Sequence, residues 1–202
     1  IQNNIFEIND NKSFISELGV YGQGLLQIDG NRFLGGTLVD YRLHLYDSGK
    51  IIFTDNISTS FSRFRISVSE SVDSTLPNED MVIIRNNQFN EGSIELSGGS
   101  YKARYLIKGN TLDGTSLDIS GALSARVQDN TIKNSYGITL QNTNALLERD
   151  TLINNKGTGV RVYTTFDYQN MVKDTIRYCL ITGNNTDNSS GYAGIVIEDY
   201  SN

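Results

Sequence analysis

The strongest constraint on this chain is an internal repeat. An apolar residue, an asparagine three positions on and a second apolar residue two further on recur along the sequence. The pattern fits Ile1–Asn4–Phe6, Ile28–Asn31–Phe33, Ile52–Asp55–Ile57, Ile84–Asn87–Phe89, Ile107–Asn110–Leu112, Val127–Asn130–Ile132, Leu147–Asp150–Leu152 and Ile176–Cys179–Ile181. The starts are separated by 27, 24, 32, 23, 20, 20 and 29 residues. Self-similarity at such a period means stacked units, each too small to bury its own apolar face.

An apolar-x-apolar doublet follows each start. The clear cases are Ile94–Leu96, Leu117–Ile119, Ile138–Leu140, Val160–Val162 and Ile195–Ile197, and the weaker ones Leu18–Val20, Leu43–Leu45 and Phe64–Ile66. Alternation with period two is a strand signal, with alternate side chains inward. Each repeat therefore holds about three short strands separated by bends. Asparagine suits the bend, because it tolerates the left-handed backbone and bonds neighbouring backbone groups. Stacked strands lie about 4.8 Å apart, so the asparagines should stack too, each amide bonding the next. Asn4, Asn31, Asp55, Asn87, Asn110, Asn130, Asp150 and Cys179 are the expected rungs, with Cys179 a small, buried thiol.

This pattern resembles the parallel β-helix repeat of right-handed, pectin-lyase-like solenoids. The resemblance spans nearly the whole chain and is best from Met81 to Glu198. It implies an all-β fold, a right-handed parallel β-helix of about eight coils. A single domain over residues 1–202 is expected. Leu26-x-Ile28-x-x-Asn31-x-Phe33 also matches a leucine-rich-repeat core, but that repeat would run on into a helix or irregular turn. Here Gly-apolar-x-apolar follows instead, a further strand. Eight coils would make a rod roughly 38 Å long. The repeat pattern reaches both ends, and the chain does not begin with Met. It reads as a piece of a longer repeat protein, with further coils or domains of the same parent chain as its neighbours.

Composition narrows function by exclusion. The net charge is −6, which leaves no basic field for nucleic acid. One cysteine, Cys179, and one histidine, His44, give no disulfide, no Cys-based zinc cluster and no His-rich metal site. No apolar run approaches the roughly 18 residues of a membrane span. Long excursions at residues 67–81, 163–173 and 182–193 flank the doublets, and insertions on one solenoid face commonly build its binding face. In the family resembled, polysaccharide often binds along the strand between such turns.

The middle residues of the doublets should face outward as a strip: His44, Arg65, Glu95, Asp118, Thr139, Arg161 and Val196. Glu95 and Asp118 would be neighbouring carboxylates, the spacing a retaining glycosidase needs. Clustered acids also suit a calcium-dependent lyase, so calcium is the one cofactor the residues suggest. Against this stands a plain charge ladder, Arg65 beside Glu95 and Asp118 within reach of Arg161. Tyr163, Phe166 and Tyr168 form an aromatic cluster, with Tyr178 and Tyr192 on the next coil, that could stack on sugars. Lys102, Arg104, Arg126 and Lys133 could attract acidic sugars. Sequons at Asn11, Asn56, Asn184 and Asn188 are what chance gives in so Asn-rich a chain. Beside a phage or host-attachment fibre, usually trimeric, two functions stay open. One is a non-catalytic, extracellular or cell-surface module serving as stalk, adhesin or glycan-binding surface. The other is a polysaccharide lyase or glycoside hydrolase using Glu95, Asp118 and Arg161.

Overall fold

The structure is a computed structural model that describes residues 1–7, 14–35, 39–46, 49–69, 79–99, 102–165, 173–188 and 194–199. Twenty-one strands follow in chain order. They begin with β1 (Ile5–Glu7), β2 (Phe14–Val20), β3 (Leu25–Asp29), β4 (Arg32–Leu34), β5 (Val39–Leu45), β6 (Lys50–Thr54) and β7 (Ile57–Thr59). Next come β8 (Arg63–Val68), β9 (Val82–Arg85), β10 (Gln88–Gly98), β11 (Arg104–Lys108), β12 (Thr111–Ser120), β13 (Ser124–Gln128) and β14 (Thr131–Lys133). The last are β15 (Ile138–Gln141), β16 (Ala145–Glu148), β17 (Thr151–Ile153), β18 (Val160–Thr164), β19 (Thr175–Arg177), β20 (Leu180–Thr182) and β21 (Ile195–Asp199). Among the described residues no helix is long and apolar enough to cross a membrane.

All these strands pair in parallel, each with its counterpart one turn away, so the chain is an all-β parallel solenoid. One face is a seven-stranded sheet of β3, β6, β9, β11, β13, β16 and β19. A second runs β1, β4, β7, β10, β12, β14, β17, β20. The third runs through β2, β5, β8, β10, β12, β15, β18 and β21. The repeat implied three separate sheets. Instead β10 and β12 turn the corner unbroken and join the second and third faces into one. Gly92 (φ 105°) and Gly114 (φ 68°) make that corner possible. About six turns are stacked on both sides, with an edge row at each end; the eight coils counted from the repeat include those edges.

The inward residues stack in columns. Ile28, Phe53, Ile84, Ile107, Val127 and Leu147 share one register and are buried. Each such side chain removed from water contributes about 1.5–3 kcal/mol. One start is displaced by a residue from the sequence reading: Phe53, not Ile52, continues the column. The inward partner of Phe33 and Phe89 is then Ser58, not Ile57. The small serine leaves room that aromatics fill: Phe53 meets Phe64 at 4.8 Å and Phe89 at 5.9 Å between ring centroids.

The same shift corrects one rung. Asp55 is exposed, and the buried rung is Asn56. Asn4, Asn31, Asn56, Asn87, Asn110, Asn130 and Asp150 form a continuous ladder. In each step the backbone N–H and the Nδ2 of one asparagine both donate to the Oδ1 of the next, at 2.9 and 3.0 Å for Asn110 to Asn130. Nδ2 also donates to a backbone carbonyl, as Asn130 does to Ile107 at 3.0 Å. Each buried asparagine rung is thus satisfied on every side, which burial requires.

The left-handed backbone belongs to the residue before the rung, not to the rung. Asn3, Gly30, Asp55, Asn86, Gly109, Asp129, Arg149 and Tyr178 all have φ between 55° and 68°. A second, shorter ladder runs parallel to the first. Ser135 donates to Asn155 Oδ1, and Asn155 donates to Asn184 Oδ1 at 2.8 Å. It recurs at the same separations as Asn130, Asp150 and Cys179, a signal present in the sequence but obscured by the serine.

Candidate functional site

The outward strip of the third face exists, with a corrected start. Arg42, Arg65, Glu95, Asp118, Thr139, Arg161 and Val196 are successive register partners. They alternate with buried Phe64, Ile66, Ile94, Leu96, Leu117 and Ile119 and therefore face out. His44 is not among them. It pairs with Ser67 in the adjacent column, which continues through Ser97, Ser120, Gln141, Tyr163 and Glu198. Tyr41, Leu43 and Leu45 all point inward, so two overlapping doublets fit the sequence there, and the upstream one is in register.

Charge pairing differs from the sequence expectation in one pair. Arg63 and Arg65 both reach Glu95, at 3.3 and 3.0 Å. Arg42 pairs with Asp40 at 2.8 Å. Arg161 turns away from Asp118 to Glu198, with contacts of 2.8 and 2.6 Å, and its guanidinium lies 5.3 Å from the Tyr163 ring centroid. Glu198 stands beside Tyr163 one row on, nearer the guanidinium than Asp118 two rows back. Asp118 is left with a hydrogen bond to Thr139. Burial pushes its carboxyl above the usual range; Thr139 lowers it and the charge of Glu95 raises it further.

Between the two columns lies a groove of about 240 Å³. Its walls carry Glu95 and Asp118 on one side and Ser97, Ser120, Gln141 and Tyr163 on the other. The Tyr163 hydroxyl donates to Gln141 Oε1 at 2.9 Å, which fixes the ring at one end. Phe166, Tyr168 and Tyr192 lie outside the described residues, as do residues 70–78 of the first excursion. Tyr178 is exposed and precedes the last rung, where Arg177 lies against its ring.

The other candidates fall elsewhere. Arg126 pairs with Asp80, and Lys133 with Asp113 at 3.0 Å. Among the described residues no group of three or more His, Cys, Asp or Glu side chains could hold a metal. Cys179 occupies the eighth rung but is half-buried rather than buried, because no described row covers it. Its thiol donates to the Arg177 carbonyl at 3.4 Å, and burial pushes its pKa up, against a thiolate. Of the sequons, Asn56 is a buried rung and Asn184 belongs to the second ladder; Asn188 is exposed, and Asn11 lies outside the described residues. A larger cavity of about 560 Å³ opens at the N-terminal end, lined by Ile5, Phe6, Phe33, Phe53 and Phe89. Among the described residues it is the open end of the apolar core.

Parallel turns around an asparagine ladder, with a polar strip on one face, define a β-solenoid. A model of the right handed beta helix region family matches residues 16–202, and the chain belongs to that family. No curated protein and no solved structure matches it.

Proposed function

We propose that this chain is a non-catalytic, extracellular or cell-surface module of a larger secreted protein, and that it binds glycan along the third face. The observation that carries this reading is the groove between the two outward columns, where hydroxyls, an amide and two carboxylates converge beside a fixed tyrosine ring. Sites of this kind combine apolar contact with a few placed polar groups. The same strip argues against turnover. Two guanidiniums hold Glu95, so its carboxylate is not free to attack as a nucleophile. His44 lies in the other column and faces Glu17 at 3.3 Å.

One observation favours the enzyme reading: Asp118, with a raised pKa, stands in register beside Glu95, as an acid and its partner would. A glycan array, followed by reducing-sugar and unsaturated-product assays on every glycan bound, separates the two. Binding without product is expected. Product formation lost in both Glu95→Gln and Asp118→Asn would establish the lyase or hydrolase instead.

A further inference from the structure

We infer, building on the glycan-binding reading above, that the groove takes an uncharged sugar chain and rejects uronates, and that Asp118 sets this choice. The argument starts from the cations. A sugar carboxylate needs a guanidinium or ammonium to receive it, since a desolvated carboxylate without a partner is costly. On this face the arginines already have carboxylates: Arg42 has Asp40, Arg63 and Arg65 share Glu95, and Arg161 has Glu198. Capturing a uronate would mean breaking one of these pairs.

The remaining groups suit hydroxyls. Ser97, Ser120, Thr139 and Gln141 each donate and accept, as sugar hydroxyls do. Asp118 only accepts, and its one assigned partner is Thr139, so its carboxylate can take further donors from a polyol. A uronate in the same groove would bring a second negative charge against Asp118 where water is partly excluded, and like charges repel more strongly there. Arg161 occupies one side of the Tyr163 ring. The opposite side is what a sugar ring can stack on.

The test is calorimetry on the purified chain with two sets of probes: neutral gluco- and manno-oligosaccharides, and galacturonate and alginate oligomers. Circular dichroism checks each variant for native fold. Neutral oligomers are expected to bind with an affinity little changed by salt, since no ion pair is involved. Asp118→Asn should weaken them by about tenfold or more through loss of a charged acceptor, and should narrow the gap between neutral oligomers and uronates by removing the like charge. Tyr163→Ala should weaken the neutral oligomers through loss of the stacking surface. Salt-sensitive binding of uronates by the native chain, lost in Arg65→Gln, would overturn the sugar class while keeping the glycan-binding surface. No binding of either set, or binding untouched by Asp118→Asn and Tyr163→Ala, would overturn the surface itself.

Discussion

Asp150 shows how one residue changes the chemistry of a column without changing its geometry. Its Oδ1 accepts both donors of Asn130, at 2.8 and 2.9 Å, as an asparagine would. Its Oδ2 stands where every earlier rung has an amide donor, and it has no hydrogen-bond partner among the described residues. Burial raises the carboxyl to about 6, well above its unfolded value. The folded state then keeps a proton that the unfolded state gives up, so stability falls as pH rises from about 4 to about 6 and stays low above. Asp150→Asn should restore a donor, stabilise the protein at pH 7 by on the order of 2–3 kcal/mol and leave it unaffected near pH 3. Denaturant melts across that range check the prediction, and equal stability at all pH values would refute it. Asn110→Leu should cost about 1–3 kcal/mol, because the Asn87 donors lose their acceptor in a buried site. The ladder was legible from spacing except at Asp55, where the rung is Asn56. The left-handed position was not, because Arg149 and Tyr178 give no sign in sequence that their backbone is left-handed.

At the scale of the strand, period two placed the strip and its neighbours correctly wherever inward residues were unambiguous, as in β12 and β15. It slipped by one residue at Ile52 and by two at Leu43. In the first case Ile57 looked inward and Ser58 did not; in the second, three inward residues in a row allowed two frames. Which partner Arg161 chooses was not legible, since it depends on how a guanidinium bends between rows. The corner of β10 was also hidden, because Gly92 reads like any other strand-breaking glycine. Its φ of 105° and the Phe61 carbonyl, which crowds the point where a Cβ would lie, leave no room for a side chain. Gly92→Ala should therefore destabilise by well over 1 kcal/mol, whereas Gly114→Ala, whose nearest neighbour would be at 3.5 Å, should cost only about 1 kcal/mol in backbone strain. Thermal melts of the two variants decide it; equal losses would show the corner is not set by that close approach.

At the scale of the molecule, the described residues leave the first and last rows of the solenoid without a paired row beyond them. Ile1 at one end and Ile197 at the other, which continue the inward columns of Ile28 and Val162, are each more than half exposed. Unpaired parallel edges with apolar side chains are templates for association. This chain is expected to self-associate with concentration, and Ile197→Lys should reduce that in sedimentation equilibrium; a strictly monomeric native chain at high concentration would count against it. A different consequence follows from the ladder's regular step. Asn110 and Asn130 receive the same bonds from the turn before and make the same bonds to the turn after, so length is a quantity this architecture can change in whole units. Removing residues 110–129 would join Gly109 to Asn130 and seat Asn87 directly on Asn130, whose Oδ1 would take the place of the Asn110 acceptor. Such a deletion, ruinous in most folds, should yield a folded rod shorter by about 4.8 Å, measurable by small-angle scattering. Removing ten residues instead of twenty would put every inward side chain beside the wrong face. The molecule behaves as a ruler that tolerates a missing division but not half of one.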